Sequence, residues 1–249
     1  MIKNSMFVVV LGLIFGSFIS VISYRLPKGV NFIKGRSFCP KCKNKIDWYD
    51  NIPLLSFFLL KGKCRKCNNK ISIRYPLIEL STSLFWLFIY LYNYKNLLIV
   101  ILYFIFYLIV ASIFVIDFEK GIIPDELTFF GFIISFIYIL LFDNSHSFEH
   151  LLGGFSLSSL MLLIHLVTKG KGMGLGDVKF TLFPATFLIF PKNILWLILS
   201  FIIGSIVGTI LIIFKKAKFG KAIPFGPFLA FSFIVVILWG DNIVKLLLR

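Results

Sequence analysis

Charge is scarce in this sequence, and acidic charge is the scarcest. Charged residues make up 15% of the 249 residues, and 11 aspartates and glutamates stand against 26 lysines and arginines. Apolar residues make up 59%, and the mean hydropathy is +0.95. A soluble domain of this size needs a polar exterior around its core, so this composition excludes a soluble globular protein. We predict an integral membrane protein.

The apolar segments also lack the alternation of polar and apolar residues that a transmembrane β-strand requires. Most are apolar on every side for about 17–22 residues, the length at which a helix crosses ~30 Å of hydrocarbon. Eight such segments run roughly over 6–23, 77–94, 97–117, 126–142, 150–167, 178–190, 194–214 and 227–247. The predicted fold class is an all-α polytopic membrane protein with about eight transmembrane helices, and short connections make successive helices antiparallel neighbours.

No small-x-small cleavage site follows the first apolar segment, although its length resembles that of a signal peptide. Basic residues follow it instead, beginning with Arg25 and Lys28, and cytoplasmic loops are rich in such residues. We therefore predict an uncleaved first helix over residues 1–24 with its N-terminus outside. With eight spans, 21 lysines and arginines fall on the cytoplasmic side and 5 outside, a bias that supports this orientation.

A polar cytoplasmic insert is predicted over residues 25–76, between the first helix and a seven-helix core over 77–249. Thirteen of the 26 basic residues lie between Arg25 and Arg74. A net charge of +15 is compatible with nucleic-acid binding. In a membrane protein, however, clustered basic residues primarily indicate which loops are cytoplasmic, so we predict no nucleic-acid partner. An insert of this size usually needs a metal or disulfides to fold.

All four cysteines lie in the insert, in two CxxC pairs. Four thiolates at this spacing suit tetrahedral Zn²⁺. Two disulfides and redox-active pairs are the alternatives, but a cytoplasmic location disfavours stable disulfides, and no βαβ pattern surrounds either pair. We predict a structural zinc bound by Cys39, Cys42, Cys64 and Cys67.

Two of the few acidic residues lie at the ends of apolar segments on one predicted membrane face. Asp117 closes the segment 97–117, and Asp177 precedes the segment 178–190. An ionisable group at a transmembrane helix end is a candidate functional site because its burial in lipid is costly. Asp117 alone is equally compatible with an interfacial carboxylate. Two carboxylates a few ångströms apart, however, share one proton and can activate water.

Glycines precede Asp177. Gly174 and Gly176 permit positive φ and close backbone approach, and a helix N-terminus stabilises an anion such as Asp177. We predict that these two glycines form an active-site loop.

Three other features have plainer interpretations. Asp125 is predicted to cap the helix that follows it. His165 is predicted to be a packed residue rather than a catalyst, since no partner is evident in the sequence. Residues 224–227 (PFGP) are predicted to form a turn into the last span.

Six motifs, in order, resemble the type IV prepilin peptidases, bifunctional leader peptidases and N-methyltransferases among the GxGD membrane aspartyl proteases. They lie at residues 16–27 (GSFISVISYRLP), the two CxxC pairs, 48–53 (WYDNIP), 74–79 (RYPLIE), 117–128 and 174–179 (GLGDVK). A lone GxGD is a weak signal, but six motifs in order over nearly the whole chain are specific. Ser20 stands where the family usually has asparagine.

The resemblance implies that the enzyme removes the leader of type 4 prepilins and pseudopilins after a glycine. It also implies methylation of the new N-terminus from S-adenosylmethionine, with both reactions at the cytoplasmic face of the bacterial inner membrane. Asp117 and Asp177 would form the catalytic pair, and the four cysteines would bind zinc. The sequence lacks a glycine-rich nucleotide loop of the soluble type. Gly62, Lys63 and Glu79 are the candidates for binding the methyl donor; the plainer alternatives are a turn, a solvated charge and, for Glu79, an ion pair with Arg74. The oligomeric state stays open.

Two rival functions belong to other classes. One is a proton-coupled membrane transporter that uses the paired acids as a proton relay, although the sequence lacks a clear inverted repeat. The other is a non-catalytic assembly subunit whose cysteine insert docks a cytoplasmic partner.

Overall fold

The computed structural model describes residues 2–216 and 223–247, and within these ranges the chain is helical without a named strand. The helices are α1 (Ile2–Arg25), α2 (Leu55–Leu59), α3 (Arg74–Asn93), α4 (Leu97–Lys120), α5 (Asp125–Phe142), α6 (Ser147–Val167), α7 (Leu175–Phe187), α8 (Lys192–Ile213) and α9 (Gly226–Leu247). The predicted all-α class is confirmed. Lys218, Lys221 and Arg249, which enter the predicted charge count, lie outside the described residues.

Each of the eight predicted apolar segments coincides with a helix, α1 or one of α3 to α9. Within the described ranges, six segments are long and apolar enough to cross a membrane: Asn4–Lys28, Leu97–Lys120, Asp125–Phe142, Asn144–Val167, Lys192–Ile213 and Gly226–Leu247. The difference from eight has two causes. The 13 residues of α7 rise only about 20 Å, and α3 carries Arg74, Glu79 and a Ser-Thr-Ser run that lower its hydropathy.

The chain forms two compact units, Met1–Leu108 and Ile109–Arg249. In the first unit, α1 and α3 pack together at two glycines. A methyl group on Gly12 would lie 2.5 Å from Cα of Ser83, and one on Gly16 would lie 2.5 Å from Cα of Glu79. Because backbone atoms cannot give way at such distances, only glycine allows this approach.

An aromatic stack joins the first half of α4 to α1 and α3 in the first unit. The rings of Trp86 and Phe104 lie 4.1 Å apart and nearly parallel, and Phe15 of α1 packs against Trp86 at 5.0 Å. Trp86 is 3% exposed, so this stack is part of the core of the unit.

The short helix α7 lies in the core of the second unit, in contact with α5, α6, α8 and α9. Its Phe180 and Phe183 are fully buried, and Phe183 packs against Phe233 of α9 at 5.2 Å. A methyl group on Gly131 of α5 would lie 2.7 Å from the Phe183 ring. Protein rather than lipid therefore surrounds much of this apolar helix.

Candidate functional site

Asp117 lies in the last turn of α4, close to where that helix ends. Gly121 has a left-handed φ of 66° and donates its N–H to the Asp117 carbonyl at 2.8 Å, the common way for glycine to terminate a helix. The Asp117 side chain is 4% exposed. Its Oδ2 accepts a hydrogen bond from the N–H of Gly226, the first residue of α9, at 2.9 Å.

Asp177 lies in the first turn of α7 and is 8% exposed. Its Oδ2 accepts a hydrogen bond from the N–H of Gly174 at 3.1 Å. A carboxylate in this position satisfies an N–H group that the helix itself leaves without a partner. Asp177 is therefore oriented by the beginning of the helix that carries it.

Asp117 and Asp177 line one cavity of about 340 Å³. We call it the aspartate cavity; its wall also contains Gly121, Ile122, Ile123, Asp125, Gly174, Leu175, Gly176 and Lys179. The structure thus brings the two predicted acids and the two predicted loop glycines together. A volume of several hundred Å³ is typical of binding sites.

Close approach, rather than positive φ, is what requires glycine in this loop. Gly174 has a φ of −74°, a value that any residue adopts. A methyl group on Gly174 would lie 3.0 Å from Oδ2 of Asp177, and one on Gly176 would lie 3.1 Å from Cβ of Ile123. The glycines therefore keep the loop tight around Asp177.

Three contacts around the cavity were missed from the sequence. Lys179 forms an ion pair with Asp125 at 2.7 Å, and Asp125 is the first residue of α5 rather than its N-cap. Nδ1 of His165 donates a hydrogen bond to the carbonyl of Met173 at 2.7 Å. Because a carbonyl only accepts, Nδ1 carries the proton. The third contact is the hydrogen bond from Gly226 to Asp117. The proline-flanked motif at residues 224–227 was the sequence signal that could have drawn attention to Gly226.

The two cysteine pairs form knuckles of the same construction. Cys39 donates its N–H to the Asn44 carbonyl at 2.9 Å, and its carbonyl accepts the N–H of Lys43 at 2.8 Å. The second knuckle repeats both bonds 25 residues later, with Cys64 in the place of Cys39 and 2.9 Å for each bond. Each turn thus presents its two thiols in the same way.

The four Sγ atoms lie within 4.8 Å of one another, and those of Cys39 and Cys67 are 3.9 Å apart. All four cysteines are free, since a disulfide requires a bond of about 2.05 Å. Four sulfurs around Zn²⁺ at ~2.3 Å are separated by about 3.8 Å in a tetrahedron. The cluster can therefore hold a metal ion.

In the second knuckle, hydrogen bonds favour the thiolate form of Cys67. The Asn69 side-chain amide donates to Sγ of Cys67 at 3.3 Å, and the hydrogen bonds from Asn69 lower the pKa of Cys67 to about 6. Arg65 forms two hydrogen bonds with Asp50, at 2.8 and 2.7 Å, and lowers the pKa of that carboxyl. The second knuckle is thereby fastened to the turn Trp48–Asn51.

Glu79, one of the three predicted methyl-donor residues, lies on the wall of a second cavity. It is 7% exposed, its Oε2 accepts the N–H of Leu54 at 2.8 Å, and it lines a space of about 320 Å³. This insert cavity lies within the first unit, between α1, α2, the start of α3 and both knuckles. Gly62 and Lys63 lie in the turn before Cys64, and neither is among the residues that line it.

The fold and these two sites define a helical membrane protein with a buried pair of acids and a four-cysteine cluster able to bind a metal. Two family models match the chain, the bacterial peptidase A24 N-terminal domain over residues 10–93 and the type IV leader peptidase family over residues 102–209. The chain belongs to the type IV leader peptidase family, which confirms the resemblance.

Curated relatives match most of the chain. A prepilin leader peptidase/N-methyltransferase of Vibrio cholerae is 34% identical, over 91% of this chain and 93% of the relative. Proteins of the same name are 32% identical in Pseudomonas aeruginosa, over 97% and 92%, and 31% identical in Legionella pneumophila, over 92% and 89%. No solved structure matches the chain. The family and its membrane helices identify a bacterial membrane protein, and none of these names points to a transporter.

Proposed function

We propose that this chain is a prepilin leader peptidase and N-methyltransferase whose peptidase centre is Asp117 with Asp177. The observation that carries the proposal is the burial of both acids at one cavity. Support comes from the relatives, which are named for this activity and which the chain matches over almost their whole length. The substrates are the type 4 prepilins and pseudopilins.

Each acid has one oxygen fixed and one oxygen available. Gly226 donates to Oδ2 of Asp117, and Gly174 donates to Oδ2 of Asp177. Oδ1 of each acid has no hydrogen-bond partner in the part of the chain that the structure describes. These bonds orient the acids without occupying the oxygens that exchange protons, while Gly174 and Gly176 keep the loop close to them.

The two acids divide the work of peptide hydrolysis. Two neighbouring carboxyl groups hold one proton between them. The ionised member takes a proton from water as the water oxygen bonds to the peptide carbonyl carbon. The protonated member gives its proton to the carbonyl oxygen. When the tetrahedral intermediate collapses, the C–N bond breaks and the nitrogen leaves with a proton from the pair, while a hydroxyl of the intermediate returns its proton to the ionised acid.

The proposed orientation puts this chemistry at the cytoplasmic face. The charge bias of 21 to 5 favours an N-terminus outside and the insert inside. Asp117 at the end of α4 and Asp177 at the start of α7 then lie near the inner leaflet. A prepilin enters laterally from the bilayer, and its basic leader remains on the cytoplasmic side.

The insert over residues 25–76 serves the methylation, and the seven-helix core over 77–249 serves the cleavage. Cys39, Cys42, Cys64 and Cys67 hold a structural Zn²⁺, which cross-links the two knuckles. S-adenosylmethionine supplies the methyl group when bound. Glu79, which faces the insert cavity, is the best-placed donor-site residue of the three candidates, and Gly62 and Lys63 shape the turn into the second knuckle.

A leader-cleavage assay tests this function. Purified protein in detergent is incubated with a prepilin, with and without S-adenosylmethionine, and the mass of the product is measured by mass spectrometry. We expect loss of the leader, and a further single methyl group only when the donor is present. Asp117→Asn and Asp177→Asn should abolish cleavage because neither amide can exchange the proton. Asp241→Asn, at an exposed aspartate paired with Lys192, is the matched control. Cleavage by either cavity variant at the native rate overturns the proposal.

A further inference from the structure

Glu79 is a buried acid on the wall of the insert cavity. In the part of the chain that the structure describes, no lysine or arginine forms an ion pair with this carboxylate. It accepts the Leu54 N–H and interacts with the Ser17 hydroxyl. A buried carboxylate without a counter-charge is costly, so a cation bound in the cavity would stabilise it.

An orphaned hydroxyl lies beside this acid. Ser20 is 5% exposed and lines the cavity, and its Oγ has no hydrogen-bond partner. It lies three residues after Ser17 on α1, so both face the same side of the helix. Buried polar atoms are nearly always hydrogen-bonded. The Ser20 hydroxyl is therefore available to hydrogen-bond a polar atom of a ligand in the cavity.

Much of the rest of the wall carries basic side chains and aromatic rings, although Asp47 and Asp50 also line it and Asp50 is paired with Arg65. The knuckles contribute basic side chains to the lining, namely Lys41, Lys45, Arg65, Lys66 and Lys70. The rings of Tyr24, Phe38 and Phe57 also line it. A ligand that fits carries a cation toward Glu79, an anionic group toward the knuckles and a flat ring. S-adenosylmethionine has all three, as sulfonium, carboxylate and adenine.

We propose that the insert cavity is the methyl-transfer site and that Glu79 and Ser20 bind the cationic centre of the reaction. The assignment rests on the proposed methyltransferase function. Two cations take part in the reaction, the sulfonium of the donor and the α-ammonium of the cleaved pilin, and Glu79 can face either one. If Glu79 faces the pilin, the α-ammonium gives one proton to Glu79. The neutral nitrogen then bonds to the methyl carbon while the carbon–sulfur bond breaks, and the electron pair of the broken bond stays on sulfur.

Equilibrium binding distinguishes the two cations. Calorimetry on the full-length protein in detergent compares S-adenosylhomocysteine, which has a neutral sulfur, with sinefungin, which has an ammonium group where the donor has its sulfonium. If Glu79 faces the donor, Glu79→Gln should weaken sinefungin roughly tenfold or more and S-adenosylhomocysteine much less, because only the cation loses a charged partner. If Glu79 faces the pilin, both affinities stay constant and the KM for cleaved pilin rises by a similar factor.

Glu149→Gln is the matched control, since Glu149 is an exposed acid in α6. Leader cleavage by each preparation reports correct folding. Should Glu79→Gln not accumulate, Ser20→Leu places apolar bulk in the cavity and should abolish binding of both analogues. Native affinities together with native methylation in Glu79→Gln overturn the assignment. A native protein that cleaves but neither binds the analogues nor methylates refutes the methyltransferase function itself.

Discussion

At the scale of single residues, the aspartate cavity depends on glycines as much as on acids. Asp117 and Asp177 were predicted from the sequence because acids are rare in it and each lies at the end of an apolar segment. Gly226 was not, since its contact with Asp117 joins residues 109 positions apart. Local pattern carries no information on such a pairing, and Ser20 and Glu79 meet at one cavity for the same long-range reason.

Replacing Gly226 by alanine tests this dependence. The added methyl group would lie 2.6 Å from Oδ2 of Asp117 and 3.0 Å from Cδ1 of Ile123, so the carboxyl group must move. We expect the leader-cleavage rate to fall on the order of 10²-fold, the usual effect of displacing a reacting group by about 1 Å. Gly208→Ala is the control, since its nearest neighbour is 3.8 Å away. An unchanged rate in Gly226→Ala would contradict a catalytic role for this geometry of Asp117.

At the scale of elements, helix positions followed from the sequence far better than helix surroundings. The segment 178–190 was predicted as a span, yet α7 ends at Phe187 and lies against four other helices. A helix that is apolar on every side has the same pattern whether protein or lipid surrounds it. The contact of Gly12 and Gly16 with α3 was likewise hidden, because it depends on which helix lies opposite.

The insert is the element that should respond to loss of its metal. Between α1 and α3, its described part has only short helical turns and α2 besides the knuckles, so we expect its fold to depend on metal binding by the cluster. We expect Cys42→Ser and Cys67→Ser to lose zinc equally, because they are equivalent positions of the repeated knuckles. Methylation should be lost and leader cleavage kept.

Metal content by atomic absorption and both activities provide the measurement. Lys61→Ala, which changes an exposed residue before the second knuckle, should retain zinc. A zinc-free cysteine variant with native methylation would show that the metal does not support this activity.

At the scale of the whole molecule, orientation is the property most open to a direct check. The orientation proposed from the charge bias puts the loop between α5 and α6 outside and the end of α4 inside. Ser145→Cys in that loop should react with a membrane-impermeant maleimide in intact spheroplasts. Lys120→Cys at the end of α4 should react only after lysis. Both residues are exposed, so access alone does not separate them. The reverse labelling pattern would place the aspartates on the outer face.

The division of the chain within α4 has a consequence for its ancestry. One family model matches residues 10–93 and the other residues 102–209, and the insert cavity lies wholly in the first compact unit and the aspartate cavity wholly in the second. A gene that lost the first unit would still encode every wall residue of the aspartate cavity. Under the proposed assignment of the two cavities, descent can therefore keep the protease while discarding the methyltransferase, and the two need not share one evolutionary history.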